Sequence, residues 1–256
     1  MLAYAFLDAP LPLAFAHRGG AEHGIENTMS TFAAAVDLGY RYIETDVHAT
    51  SDGVLVAFHD RTLHRVTGVK GRIEHLTWKQ LQGVKVGDDE RVPLLIDLLG
   101  AWPDIRVNID AKTDQAVRPL IEAIAHTNAL DRICVGSFSD RRVGQIRAAL
   151  GPRLCTSLAP RESLRLRVAS LRNHHGDDGG TPGVPCAQLP YNLGPLPVTD
   201  GRLVAKAHEL GMQVHVWTID DPADMERLLD MGVDGIMTDQ PTALRDLLIR
   251  RGSWHG

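Results

Sequence analysis

The sequence predicts a (β/α)8 TIM barrel, on three observations. About eight short apolar runs alternate with helical patterns along the chain, the strand-then-helix rhythm of a parallel sheet. Polar residues recur at the C-terminal ends of those runs, where barrels keep their reactive groups. The first apolar run is followed by His17-Arg18-Gly19-Gly20. That is not the glycine-rich nucleotide loop of a doubly wound open sheet, the main rival at this length.

Residues 13–16 form the first predicted strand. Glu26-Asn27-Thr28 reads as a helix start with Thr28 as the cap. Phe32, Ala35 and Val36 stand at helix-face spacing across 29–38, and Gly39 stops the run. The second strand starts at Arg41. A Ser51-Asp52-Gly53 turn follows, then an apolar run over 54–58 that ends on His59-Asp60. From 60 to 92 the rhythm breaks. Residues 61–71 are basic and β-branched, 77–81 read as a short capped helix, and 83–91 are polar. This segment is a small insertion after the second strand, emerging beside His59 as a candidate substrate cover.

Regular alternation then resumes. Helices are expected at 94–99, 116–126, 142–150, 161–171, 202–210, 222–231 and 241–250. Strands are expected at 105–111, 133–136, 153–157, 187–189, 213–217 and 235–237. Residues 173–183, rich in Gly, Asp and His, read as a loop, with His174 and His175 on its solvated surface. The chain 1–256 is expected to be a single domain carrying the 60–92 insertion.

Composition excludes several classes. The 256 residues are 44% hydrophobic and 23% charged, and a core of this size needs no disulfide support. Cys134, Cys155 and Cys186 are odd in number and contain no Cys-x-x-Cys pair. They read as small buried or half-buried residues in a reducing compartment. A net charge of −5 argues against a large nucleic-acid-binding face, yet leaves room for a local basic phosphate site. Residues 1–15 are apolar but lack Lys and Arg and are broken by Asp8, Pro10 and Pro12, unlike a signal peptide. No apolar run reaches the roughly 18 residues of a membrane span. A cytoplasmic enzyme is the expectation.

The chemistry concentrates between Arg41 and His59. A strand alternates its side chains, so Glu44, Asp46 and His48 share one face while Ile43, Thr45 and Val47 take the other. Two carboxylates and an imidazole are expensive to bury. Such a row makes sense lining a polar cavity, most simply one that holds a hard divalent cation on oxygen ligands. The competing reading is a polar-faced edge strand beside a surface hairpin. Against it, polar residues follow the other strands at the same end: His17 and Arg18, Asp110 and Lys112, Ser137 and Ser139, Gln188, Trp217 and Thr218, Thr238 and Asp239.

At these residues the chain resembles the glycerophosphodiester phosphodiesterase family. The resemblance rests on His17-Arg18-Gly19, Glu26-Asn27-Thr28, Glu44-Thr45-Asp46-Val47-His48, Thr50-Ser51-Asp52-Gly53, His59-Asp60 and Asn108-Ile109-Asp110-Ala111-Lys112. It continues in Trp217-Thr218 and in Gly235-Ile236-Met237-Thr238-Asp239-Gln240-Pro241. These motifs span almost the whole chain in the family's order. The resemblance implies a (β/α)8 barrel with an insertion after the second strand, and a metal-dependent hydrolase of lipid and glycerol metabolism. Its substrate would be a small glycerophosphodiester, split into sn-glycerol 3-phosphate and an alcohol.

Carried over residue by residue, the resemblance implies that Glu44 and Asp46 bind a divalent metal and that His17 and His59 are the acid–base pair. The family's third ligand is usually a Glu two residues before a Lys; here Asp110 stands there, one methylene shorter, with Lys112 following. Mg²⁺ or Ca²⁺ suits three carboxylates, and Mn²⁺ is a further candidate. Arg18 and Lys112 would hold the non-bridging phosphate oxygens. One histidine would take a proton from the nucleophile and the other give one to the leaving alcohol, with His17 assigned as base and His59 as acid. The nucleophile is either the substrate's own glycerol 2-hydroxyl, giving a cyclic phosphate that water opens, or water directly.

Other positions carry two readings. Glu26 is a candidate for substrate or metal contact, and equally part of a helix start. His48 is a candidate partner for a metal-bound carboxylate. Trp217 is a candidate substrate-binding wall or a packing residue. Two rival functions stay open. One keeps the site but changes the substrate to a lipid, as a lysophospholipase D or sphingomyelinase D-like enzyme. The other is a non-catalytic binding protein on a decayed barrel, which the intact His17, His59, Glu44 and Asp46 set argues against.

Overall fold

A computed structural model describes residues 4–22, 24–87, 89–171 and 183–256. Eight parallel strands form the barrel: β1 Leu13–Ala16, β2 Tyr42–Ala49, β3 Arg106–Ala111, β4 Ile133–Gly136, β5 Cys155–Thr156, β6 Cys186–Pro190, β7 Gln213–Trp217 and β8 Gly235–Thr238. Neighbours pair in sequence from β1 to β5 and from β6 to β8, and β8 returns to β1 with Gly235 opposite Leu13. The last seam, β5 to β6, closes through a single parallel bridge between Ser157 and Cys186. The predicted barrel is the fold.

Eight helices cover it: α1 Met29–Asp37, α2 Leu95–Ala101, α3 Val117–His126, α4 Asp140–Leu150, α5 Pro160–Ser170, α6 Gly201–Glu209, α7 Pro222–Met231 and α8 Pro241–Arg250. Their starts are written locally. Thr28, Ser139, Asp200 and Asp221 cap α1, α4, α6 and α7 with side-chain oxygens, while proline opens α5, α7 and α8. The outward residues of β2 to β4, among them Ile43, Val47, Ile109 and Val135, pack against these helices in one apolar layer. Val214, Val216 and Ile236 do the same on the far side. At the N-terminal end the barrel is plugged by Phe6, whose ring meets Tyr42 edge-on at 5.3 Å and whose carbonyl accepts the Tyr42 hydroxyl at 2.8 Å.

Three expectations change. The edge-strand reading of the second strand fails, because β2 is buried along its length between β1 and β3. The fifth strand, expected over 153–157, shrinks to Cys155–Thr156. Arg153 turns out to the surface and pairs with Asp131 at 2.7 Å. The segment after β2 is folded around its own core. A short strand, Leu55–Ala57, runs antiparallel to β2, and Val56, Phe58, Leu63, Ile73, Leu81, Val86 and Val92 pack together behind it. Most of the 173–183 loop, with His174 and His175, lies outside the described residues.

Candidate active site

The turn after β1 sets the first histidine. Arg18 adopts left-handed backbone (φ +54°), a conformation that costs a non-glycine residue about 1–2 kcal/mol. It lets the Arg18 N–H donate to Glu44 Oε2 at 3.1 Å. Gly19 follows at φ +83°, where a Cβ would meet Phe32 Cδ1 at 2.8 Å, so only glycine lets the turn lie against α1. Asn27, also left-handed, then bridges two strand residues. Its Nδ2 donates to Asp46 Oδ2 at 3.2 Å, and its Oδ1 accepts the Thr45 hydroxyl at 2.7 Å.

Period-2 alternation brings three carboxylates to one floor. Glu44 and Asp46 stand on β2, and Asp110 lies opposite Asp46 on β3. All three are buried. Burial, with Asp46 beside it, pushes the Glu44 carboxyl up to about 7. Burial likewise raises Asp110. For Asp46 burial acts the same way, but Lys112 and Arg18 outweigh it and hold the carboxyl low. Lys112 Nζ donates to Asp46 Oδ1 and Asp110 Oδ2, each at 2.7 Å. Asp110 Oδ1 is buried with no hydrogen-bond partner among the described residues. Three clustered hard oxygen donors, one of them an orphan, fit a hard divalent cation.

Two histidines face this floor, each held by an aspartate. His17 Nδ1 meets Asp239 Oδ1 at 2.7 Å, and its Nε2 lies 3.7 Å from Glu44 Oε2. Burial opposes charge on the His17 ring, yet Glu44 and Asp239 outweigh it and raise its affinity for a proton. His59 Nδ1 meets Asp60 Oδ1 at 2.6 Å, leaving Nε2 as the nitrogen without a hydrogen-bond partner among the described residues. Asp60 is in turn gripped by Arg65, which also holds both oxygens of Glu26. His48 does not partner a carboxylate as expected. Its Nε2 reaches the His59 carbonyl at 3.0 Å and steadies that loop, and burial lowers its pKa.

These groups line a cavity of about 530 Å³, together with Arg18, Lys112, Asn108 and Gln188. The cavity is also lined by a set of apolar side chains, Phe138, Leu158, Leu164, Leu189, Leu193 and Trp217, with Ser163 and Arg167 beside Leu164. Phe138 is 68% exposed, lies under Lys112 Nζ at 5.6 Å and meets Trp217 edge-on at 5.7 Å. Glu26 does not line the cavity. Its oxygens are taken by Arg18 and Arg65, so it acts behind Arg18. Nor does any described residue of the 60–92 segment line the cavity. Its apolar residues turn inward on one another, and Arg65 is committed to Glu26 and Asp60.

The structure therefore brings His17, Arg18, Glu44, Asp46, His59, Asp110, Lys112 and Trp217 to one cavity. Sequence reasoning places Asn27, Asp60 and Asp239 in motifs but gives them no role, and it does not single out Arg65. Asp60 and Asp239 had a signal, since each follows a strand-end motif directly, but their partners become visible only when the chain closes.

The sequence profile of the Glycerophosphoryl diester phosphodiesterase family matches residues 17–243, from the first site histidine to the start of α8. The chain belongs to that family. Glycerophosphoryl diester phosphodiesterases are generally dependent on a divalent metal, and membership makes the chain a phosphoric diester hydrolase. It is similar to the probable glycerophosphodiester phosphodiesterase 2 of Mycobacterium tuberculosis, with 42% identity over 246 residues, 95% of this chain and 93% of that one. In fold it matches a putative glycerophosphoryl diester phosphodiesterase from Silicibacter pomeroyi, at TM-score 0.82 and 24% identity over 98% of this chain and all of the other. It also matches an Oleispira antarctica phosphodiesterase solved with sn-glycerol-3-phosphate, at TM-score 0.75 and 20% identity over 93% of this chain and 97% of the other. Among the described residues no helix is long and apolar enough to cross a membrane.

Proposed function

We propose that the chain hydrolyses glycerophosphodiesters to sn-glycerol 3-phosphate and an alcohol, with His17 and His59 as its acid–base pair. One observation supports this most: two histidines, each fixed through Nδ1 by an aspartate, line the same cavity as three buried carboxylates. Glu44, Asp46 and Asp110 are the residues that would hold a divalent cation, with Mg²⁺ or Ca²⁺ fitting an all-oxygen set. When bound, that cation would polarise the phosphate and offset the charge gathering on its oxygens.

The remaining work falls to the chain. Arg18 and Lys112 attract the non-bridging oxygens and orient the diester. His17 takes the nucleophile's proton at Nε2, its basicity raised by Glu44 and Asp239. His59 gives a proton from Nε2 to the leaving alcohol, and Asp60 keeps the ring turned so that Nδ1 is not the nitrogen presented. The substrate is a small molecule, and three free thiols favour a reducing, cytoplasmic setting.

The deciding experiment measures glycerol 3-phosphate released from glycerophosphocholine and glycerophosphoethanolamine, with Mg²⁺, Ca²⁺ or Mn²⁺ and again with chelator. Turnover that chelator abolishes is the expected result. No turnover with any of the three metals overturns the proposal.

The apolar lining of the cavity favours a second reading, a lysophospholipid substrate whose acyl chain lies along Leu158, Leu164, Leu189 and Leu193. Lysophospholipase D turnover exceeding that of the water-soluble diesters would establish it. Turnover of the short substrates alone would discard it.

A further inference from the structure

Below the cavity floor the barrel interior gathers a second set of donor atoms. Cys134 on β4, Cys155 on β5 and Cys186 on β6 place their sulfurs within 4.8 Å of one another. The Cys134 and Cys186 sulfurs are 4.0 Å apart. All three are free thiols and buried. A tetrahedral ion with zinc–sulfur distances of about 2.3 Å sets its sulfurs about 3.8 Å apart, close to the Cys134–Cys186 separation.

A candidate fourth donor stands on the next strand, outside the group of three sulfurs that lie within 4.8 Å of one another. His215 of β7 is 0% exposed and adjoins Cys186. Its Nε2 meets Gln213 Oε1 at 3.1 Å, whereas its Nδ1 is buried with no hydrogen-bond partner among the described residues. A buried ring nitrogen left unsatisfied is costly, and apolar packing alone gives no reason for an imidazole there. We propose that Cys134, Cys155, Cys186 and His215 form a binding site for one soft, zinc-type cation. Three sulfurs and one imidazole nitrogen are a tetrahedral zinc donor set, unlike the all-oxygen set above.

The position gives such an ion a task. Its ligands come from four successive strands and straddle the seam between β5 and β6, where β5 has two residues and closure rests on the one Ser157–Cys186 bridge. An ion held by Cys155 and Cys186 would staple that seam. Gln188 Nε2 links the two levels, reaching Asn108 Oδ1 at 2.9 Å and Cys134 Sγ at 3.9 Å. Because the thiols are buried, the ion must be acquired as the chain folds, with the thiol protons released to solvent.

The test refolds the full chain under reducing conditions with Zn²⁺ and then desalts it. Metal analysis should find about one tightly held zinc per chain. The triple variant Glu44→Gln, Asp46→Asn, Asp110→Asn, which removes the carboxylate site, should retain that zinc, whereas Cys134→Ser and Cys186→Ser should lose it. Refolding the wild-type chain with Co²⁺ reads the site without relying on any variant's folding. Thiolate ligation gives sulfur-to-metal charge-transfer absorption and strong tetrahedral bands, which carboxylates do not. Absence of those bands in the wild-type chain overturns the proposal. So does zinc that disappears in the carboxylate variant but persists in both cysteine variants.

Discussion

The two sides of the barrel mouth are built from opposite materials. β1 to β3 and the turn after each supply the cavity with imidazole, guanidinium, carboxylate and ammonium groups, and pack them into a nearly self-paired network. From β4 to β6 the mouth is lined chiefly by Phe138, Leu158, Leu164 and Leu193, with Ser163 and Arg167 among them. Leu164 and Leu193 are left 64% and 69% exposed there. On the polar side β1 has only four residues, but β2 and β3 are the longest barrel strands and pair over six positions. The apolar side has the shortest strand and the weakest seam. The contrast is a division of labour. Strongly coupled charges need a rigid frame to hold distances, while an apolar wall needs only shape, so it tolerates short strands and hairpin loops.

The largest effect should come from breaking the polar side. His17→Ala and His59→Ala should each lower kcat for glycerophosphocholine by about 10²–10⁴-fold, the usual scale of general acid–base catalysis, with the fold intact by circular dichroism. Near-wild-type turnover in both variants would sink the catalytic assignment. Next, Lys112→Met should destabilise the chelator-treated protein by about 3–5 kcal/mol in urea unfolding, because it leaves Asp46 and Asp110 facing each other without their shared cation. A change of under about 1 kcal/mol would show that the network is wetter than its burial implies.

On the apolar side the effects should be smaller and selective. Leu164→Ser with Leu193→Ser should reduce kcat/KM for a lysophospholipid about tenfold or more, given about 1.5–3 kcal/mol for burying a leucine side chain. The same pair should leave glycerophosphocholine turnover in place. Equal losses on both substrates would break the division between the two sides. The smallest effect concerns Asp60. Burial alone would raise its carboxyl, but Arg65 and His59 hold it down to about 2, below the ordinary 3.8. The stability it contributes is complete above 3.8 and drains away as pH falls towards 2. Asp60→Asn should therefore lower the melting temperature at neutral pH and flatten its fall on acidification. A parallel acid profile for both proteins would remove Asp60 as a contributor.

How much of this was legible depended on the range of the interaction. Glu44, Asp46 and Asp110 were readable because strand alternation fixes a side chain's face from its own neighbours. The start of α1 was readable because Thr28 caps it locally. Pairings across the fold were not: Arg65 with Glu26 joins residues 39 apart, and the cysteine cluster forms only where three strands meet. β5 was overestimated because an apolar run carries no record of whether a neighbour is present to pair with it. The role of the 60–92 segment was misjudged for a related reason. Its emergence beside His59 suggested a cover over the opening, whereas its apolar residues close on themselves and Arg65 is held inside a network.

The contact between His17 and Asp239 spans 222 positions. During synthesis the first site histidine leaves the ribosome long before the residue that orients it, and β8 must dock beside β1 before the two can meet. A nascent chain thus carries Glu44, Asp46, Asp110, His17 and His59 while still lacking the Asp239 contact that fixes the His17 ring. On the acid–base roles proposed above, hydrolytic competence arrives with the final strand, which would make turnover a direct report on a finished barrel.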